Sequence, residues 1–145
     1  MKALFRTEDS LPLLIARLAL GIVMLPHGMQ KSLGLFGGEG FSATMGMFTS
    51  QGMPAPLAFL VILGESAGSL GLIVGFLSRI AGFGITCIML GAIGIVHWQN
   101  GFFMNWSGKQ AGEGFEYHIL ALGVALAVLV GGGGRASVDR AIAES

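Results

Sequence analysis

The sequence predicts an all-α integral membrane protein: a four-helix bundle with a short amphipathic interfacial helix in the first outer connection, in one domain over residues 1–145. Composition is the first reason. Of the 145 residues, 53% are hydrophobic and only 11% charged, whereas soluble domains carry about 25% charged residues. The second reason is four long apolar stretches, at 11–26, 57–77, 80–96 and 119–130. Each approaches the ~20 residues that a helix needs to cross a ~30 Å hydrocarbon core. Together with their connections they use up the chain, which leaves no room for a soluble catalytic domain.

The first span, about 11–27, starts behind Glu8-Asp9-Ser10, with Ser10 as the N-cap and Pro12 in the first turn. Two acidic residues precede it and no small-x-small site follows, so it reads as a retained helix rather than a cleaved leader. Its end is expected near Pro26-His27-Gly28. Glycines 34, 37, 38 and 40 then make a loop. Phe41, Met45 and Phe48 recur at helical spacing and predict the short interfacial helix. Met53-Pro54-Ala55-Pro56 punctuates the entry to the second span, about 57–77. Gly64, Gly68, Gly71 and Gly75 offer it small-xxx-small packing faces. Ser78-Arg79 make a tight hairpin into the third span, about 80–97, which carries Gly82, Gly84, Gly91 and Gly94. Residues 97–117 form an aromatic and polar connection. The fourth span, about 118–132, runs out through the glycines at 131–134 into a polar tail.

Lysines and arginines favour the cytoplasmic side. Lys2, Arg6, Arg79, Arg135 and Arg140 lie on one set of connections, against Lys31 and Lys109 on the other. Both termini are therefore expected in the cytoplasm. His27, His97 and His118 then share the outer end with Lys31, Trp98, Trp106, Glu113, Glu116 and Tyr117.

A charge inside a span costs roughly 2.5–3.5 kcal/mol on insertion scales, so it pairs or serves a function. Arg17 and Glu65 are the two such charges. They could form a buried ion pair that fixes helix register; Glu65 could relay protons or anchor a ligand; or Arg17 could snorkel to the interface. Lys31 follows His27 by four residues, which puts a cation on its face if the helix continues. The three histidines do not have metal-site spacing, and no metal is expected. A quinone headgroup or small polar substrate fits better, because it needs only a few convergent polar groups in apolar walls. Glu116 suits the start of the last helix electrostatically. Trp98, Phe102, Phe103 and Trp106 read as an interfacial belt. Cys87, the single cysteine, cannot make an internal disulfide and reads as a small core residue. A net charge of zero with scattered basic residues argues against nucleic acid, and the 131–134 glycines lack the Gly-Lys-Ser/Thr of a phosphate loop.

Several of these residues together resemble the DoxX family: Arg17 with Gly21, His27-Gly28-x-x-Lys31, Glu65 with Gly68, Gly75-x-x-x-Arg79, His97 before Gly101-Phe102, Glu116-Tyr117, and the glycine-rich ending with Ser137-x-Asp139. The resemblance runs from about residue 11 to 139. It implies a four-helix protein of the bacterial cytoplasmic membrane. Some family members are subunits of a membrane thiosulfate:quinone oxidoreductase, and others accompany redox complexes that handle thiol or oxidative stress. The chain has no Cys-x-x-Cys, haem-attachment, iron–sulfur or flavin signature, so electron transfer would require a bound quinone or a partner's cofactor. The leading expectation is a redox-associated subunit that binds a quinone. In it Glu65 and His27 carry any chemistry, and Arg17, Lys31, His97, Glu116 and His118 contact the ligand. The lipid bilayer, a redox partner protein and further copies of the chain are the expected partners. The alternative is a structural or assembly partner of another membrane protein, without catalysis of its own.

Overall fold

The computed structural model describes residues 2–145 and, among them, is helical without strands. A short helix α1 (Lys2–Phe5) precedes α2 (Leu11–Leu33), α3 (Phe41–Ser50), α4 (Ala55–Val74), α5 (Ser78–Asn100), α6 (Glu116–Gly131) and α7 (Val138–Glu144). Helices α2, α4 and α5 are long and apolar enough to cross a membrane. At 1.5 Å per residue they span about 30–35 Å, while α6 spans about 24 Å.

Helix α2 begins as its sequence requires, with the Ser10 hydroxyl accepting from the Leu13 N–H and a proline in the first turn. It does not stop near Gly28. Pro26 lies inside the helix, which continues to Leu33 and ends on Gly34 in the left-handed conformation, with the Gly34 N–H donating to the Met29 carbonyl. Proline removes one helical hydrogen bond, but tertiary contacts beyond it hold the extra turn and a half. Gly28 packs so closely on the Glu65 backbone that a β-carbon would overlap it. The other apolar helices also differ at their ends from the predicted spans. Helix α4 starts two residues earlier and stops at Val74, because Gly75 adopts φ 75°. Helix α5 starts at Ser78 and reaches Asn100, and α6 starts at Glu116.

Two stretches widen from α-helical to π-type turns: Gly64–Gly68 within α4 and Ala92–His97 within α5. Such turns often sit at functional positions. Here they carry Glu65 and His97.

The core runs along the faces where α2, α4, α5 and α6 meet: Leu20 and Met24, Leu72, Ile85 and Met89, and Ala121, Ala125 and Val128. Only 22–28% of the most apolar 18-residue stretch of each long helix is buried, and Ile15, Ile95, Leu120 and Val130 point outward. In lipid such faces need no protein cover, and small residues and close packing hold the helices together instead. Cys87 is exposed on α5 rather than in the core, because Ile85, Thr86 and Met89 take the buried positions around it.

The tail folds back. Ser137 caps α7, and the buried Asp139 accepts from the N–H groups of Leu77 and Ser78 at 2.7 and 2.8 Å. This satisfies orphan donors at the start of α5 and holds Leu77 at φ 52°, a conformation that costs a non-glycine residue roughly 1–2 kcal/mol.

Candidate functional site

Glu65 sits in the widened turn of α4 and is buried. Its partner is Lys31 of α2, whose ammonium donates to the Glu65 carboxylate. This contact depends on the continuation of α2 past Pro26. Gly28, one turn earlier, brings the two backbones together, and Lys31 then reaches over the carboxylate from the last turn. The Lys31 side chain keeps 25% of its surface exposed, against 7% for Glu65. The pair therefore opens toward one end of the molecule.

Around that end lie Tyr117 and the histidines. Tyr117 packs against the core, and its hydroxyl has only the Met24 thioether as partner, at 3.8 Å. It lies near Glu65. His118 follows it on α6 and is buried; the Gly114 backbone carbonyl lies near its ring, but Nδ1 makes no hydrogen bond of good geometry. The His97 ring lies 4.0 Å from the His118 ring, tilted by 37°. His97 Nδ1 meets the Glu113 carbonyl at 2.8 Å. A carbonyl can only accept, so Nδ1 carries the hydrogen and Nε2 of the neutral ring is left as an acceptor. His27 is exposed on α2, one turn before Lys31 and on the side toward His118.

The connection between α5 and α6 is a built element. Phe115 and Glu116 donate backbone hydrogen bonds to Gly101 and Phe102, and Glu113 accepts from the Asn105 N–H. Glu116 is spent on the loop. Its Oε1 accepts from the Met104 N–H and the Trp106 indole, both at 3.0 Å.

Arg17 is placed elsewhere, and the Arg17–Glu65 pairing considered from sequence does not form. The guanidinium donates to the carbonyls of Leu72 at 2.5 Å, Ile73 and Gly133 at 2.7 Å, and Ala136 at 3.2 Å. Those carbonyls close the end of α4 and the glycine-rich turn after α6, near the termini. Gly75 admits the arginine: a β-carbon there would come within 3.0 Å of Cζ.

The structure thus brings Lys31, Glu65, His97 and His118 to one end with His27 at the rim, sets Glu116 to bracing the neighbouring loop, and separates Arg17 from all of them. Sequence reasoning missed the Lys31–Glu65 pair because it ended α2 before Lys31. The available signal was Gly28, a small residue one turn from a cation. Among the described residues no group of three or more His, Cys, Asp or Glu side chains could hold a metal ion.

No curated protein and no solved structure matches the chain. Residues 12–98, more than half of it, match the DoxX family. That range includes Arg17, His27, Lys31, Glu65 and His97, while Glu116, Tyr117 and His118 lie beyond it. With three helices long and apolar enough to cross a bilayer, the chain is a membrane protein and belongs to the DoxX family.

Proposed function

We propose that this protein is a redox-associated subunit of the bacterial cytoplasmic membrane, four-spanning with both termini inside, that binds a quinone or a similar apolar-headed molecule beside the Lys31–Glu65 pair. The observation that carries the reading is unused hydrogen-bonding capacity next to a buried ion pair. His118 Nδ1 makes no hydrogen bond of good geometry, and the Tyr117 hydroxyl has only a thioether. Unpaired buried polar groups cost roughly 1–3 kcal/mol each. A ligand with carbonyl and hydroxyl groups would supply what both lack.

The residues suit a quinone headgroup. Lys31 and the Tyr117 hydroxyl donate hydrogen bonds to oxygen, and His118 Nδ1 accepts or donates according to tautomer. Glu65 holds Lys31 in place, while His97 and the exposed His27 connect the buried groups to solvent as proton carriers. A bound quinone would supply two-electron, two-proton redox chemistry, with the electrons passing to or from a partner protein. Helix α6 would be the fourth span, and α3 would lie along the interface near Lys31.

Quinone titration of the purified protein in lipid, with binding read by fluorescence quenching, tests this directly. Saturable binding is expected, and Glu65→Gln should weaken it about tenfold or more, since a released Lys31 no longer holds its position. Absence of saturation, or a Glu65→Gln variant that binds as well as the parent, sinks the reading.

A second reading, an assembly partner without chemistry of its own, draws on α5. A β-carbon at Gly84, Gly91 or Gly94 would meet nothing within 4 Å, so these small residues pack against nothing in this chain. Co-purification with another membrane protein whose activity is unaffected by Glu65→Gln would favour it.

A further inference from the structure

Beside Glu116, and sharing Tyr117 with the Lys31–Glu65 centre, lies a cleft of about 400 Å³ lined by Phe102, Met104, Trp106, Glu116, Tyr117, Ile119 and Leu120. Its volume falls within the ~300–1,000 Å³ range of ligand pockets. Its shape is fixed, because the Phe115–Gly101 and Glu116–Phe102 backbone bonds and the Glu116 bonds to Met104 and Trp106 pin the loop to the start of α6. Glu116 supplies its one charge. Among the described residues no lysine, arginine or histidine forms an ion pair with it. Its position at the start of α6 and its two N–H donors explain why a carboxylate is tolerated there. They do not explain why it borders a cavity lined by three aromatic rings.

A carboxylate without a counter-ion beside Trp, Tyr and Phe is a setting that attracts organic cations, by charge and by the negative faces of the rings. The cleft is also graded. Glu116 and Trp106 mark its polar end, and one helical turn deeper Ile119 and Leu120 are 44% and 71% exposed, continuous with the apolar outer face of α6. An occupant with a cationic head and an apolar body matches both ends at once. We propose that the cleft takes the ammonium headgroup of a zwitterionic phospholipid from the adjoining leaflet, with the acyl chains lying along Ile119 and Leu120. An anionic headgroup without an ammonium would meet Glu116 with like charge and is disfavoured.

Native mass spectrometry of the whole protein, from micelles doped equally with phosphatidylethanolamine and phosphatidylglycerol, tests the assignment. The parent should retain phosphatidylethanolamine about tenfold over phosphatidylglycerol. Glu116→Gln keeps an amide oxygen to accept from Met104 and Trp106 while removing the charge, and it should bring the two lipids close to parity. Trp106→Leu, which keeps the charge, should lower phosphatidylethanolamine retention severalfold. Equal retention of both lipids by the parent, or a preference that survives both substitutions, overturns the proposal. Displacement of the lipid by millimolar ethanolamine alone overturns it too, in favour of a free amine.

Discussion

The two ends of this molecule handle buried charge in opposite ways. Near the termini, Arg17 spends its guanidinium on four backbone carbonyls, and Asp139 spends both carboxylate oxygens on the N–H groups that open α5. These ionised groups replace secondary-structure hydrogen bonds where the chain turns and use up their own donors and acceptors, although the buried Ser78 hydroxyl beside them has no partner. At the other end Glu65 and Lys31 neutralise each other, and His118 and Tyr117 beside them hold polar atoms in reserve. A buried charge is thus no signature of function by itself. What separates the clasp from the candidate site is that its charges are spent on backbone carbonyls and N–H groups, whereas Lys31 and Glu65 are spent on each other beside His118 and Tyr117.

The largest test of this contrast is at the clasp. Arg17→Met would take the guanidinium from all four carbonyls, with the Gly75 N–H still donating to that of Leu72. Breaking such a buried, charge-assisted network costs roughly 3–5 kcal/mol, enough to lose the folded protein. Arg17→Lys should rescue only part of it, because an ammonium cannot reproduce the guanidinium fork. Thermal melting in detergent measures both, and a Met variant within about 1 kcal/mol of the parent would break the comparison.

At the opposite end His118→Phe should change stability by less than about 1 kcal/mol, since it removes a buried nitrogen without a well-formed hydrogen bond and keeps a ring of similar shape. Ligand binding should nonetheless fall. A large destabilisation would mean that His118 is as structural as Arg17.

The smallest expected effect sharpens the picture at the clasp's rim. Asp9 pairs with Arg135 and Arg140 at 2.9 and 2.5 Å. Hydrogen bonds from Arg135 and then Arg140 hold its carboxyl below the usual value of 3.8. A carboxyl depressed by folding contributes stability that is present above its unfolded pKa and lost as pH falls through the lower folded one. Asp9 and Arg135 are exposed and Arg140 is half-buried, so the effect is small and screened by salt. Hydrogen exchange of α7 should accelerate below about pH 4, and Asp9→Asn should abolish that pH dependence.

Much of the architecture is local and was therefore readable. The Ser10 cap and the helix at 41–50 follow from capping preference and periodicity over a few residues. A charge content of 11% and the long apolar stretches sufficed to indicate a membrane protein. The gathering of His97 and His118 followed from counting helix ends.

Partner choice is different in kind. Pro26 looked like a terminator because the local cost of proline is real, and only the contact of Gly28 with α4 shows why α2 survives it. That continuation carries Lys31 to Glu65 and leaves Arg17 to the carbonyls of α4 and the tail, a choice set by helix depth and rotation that no single stretch of sequence encodes. Composition and periodicity thus determined that the chain is helical and at home in lipid. Which charge meets which, and which polar atoms stay free, only the packing of the helices decided, because a side chain's partner lies on another helix and close approach depends on both surfaces.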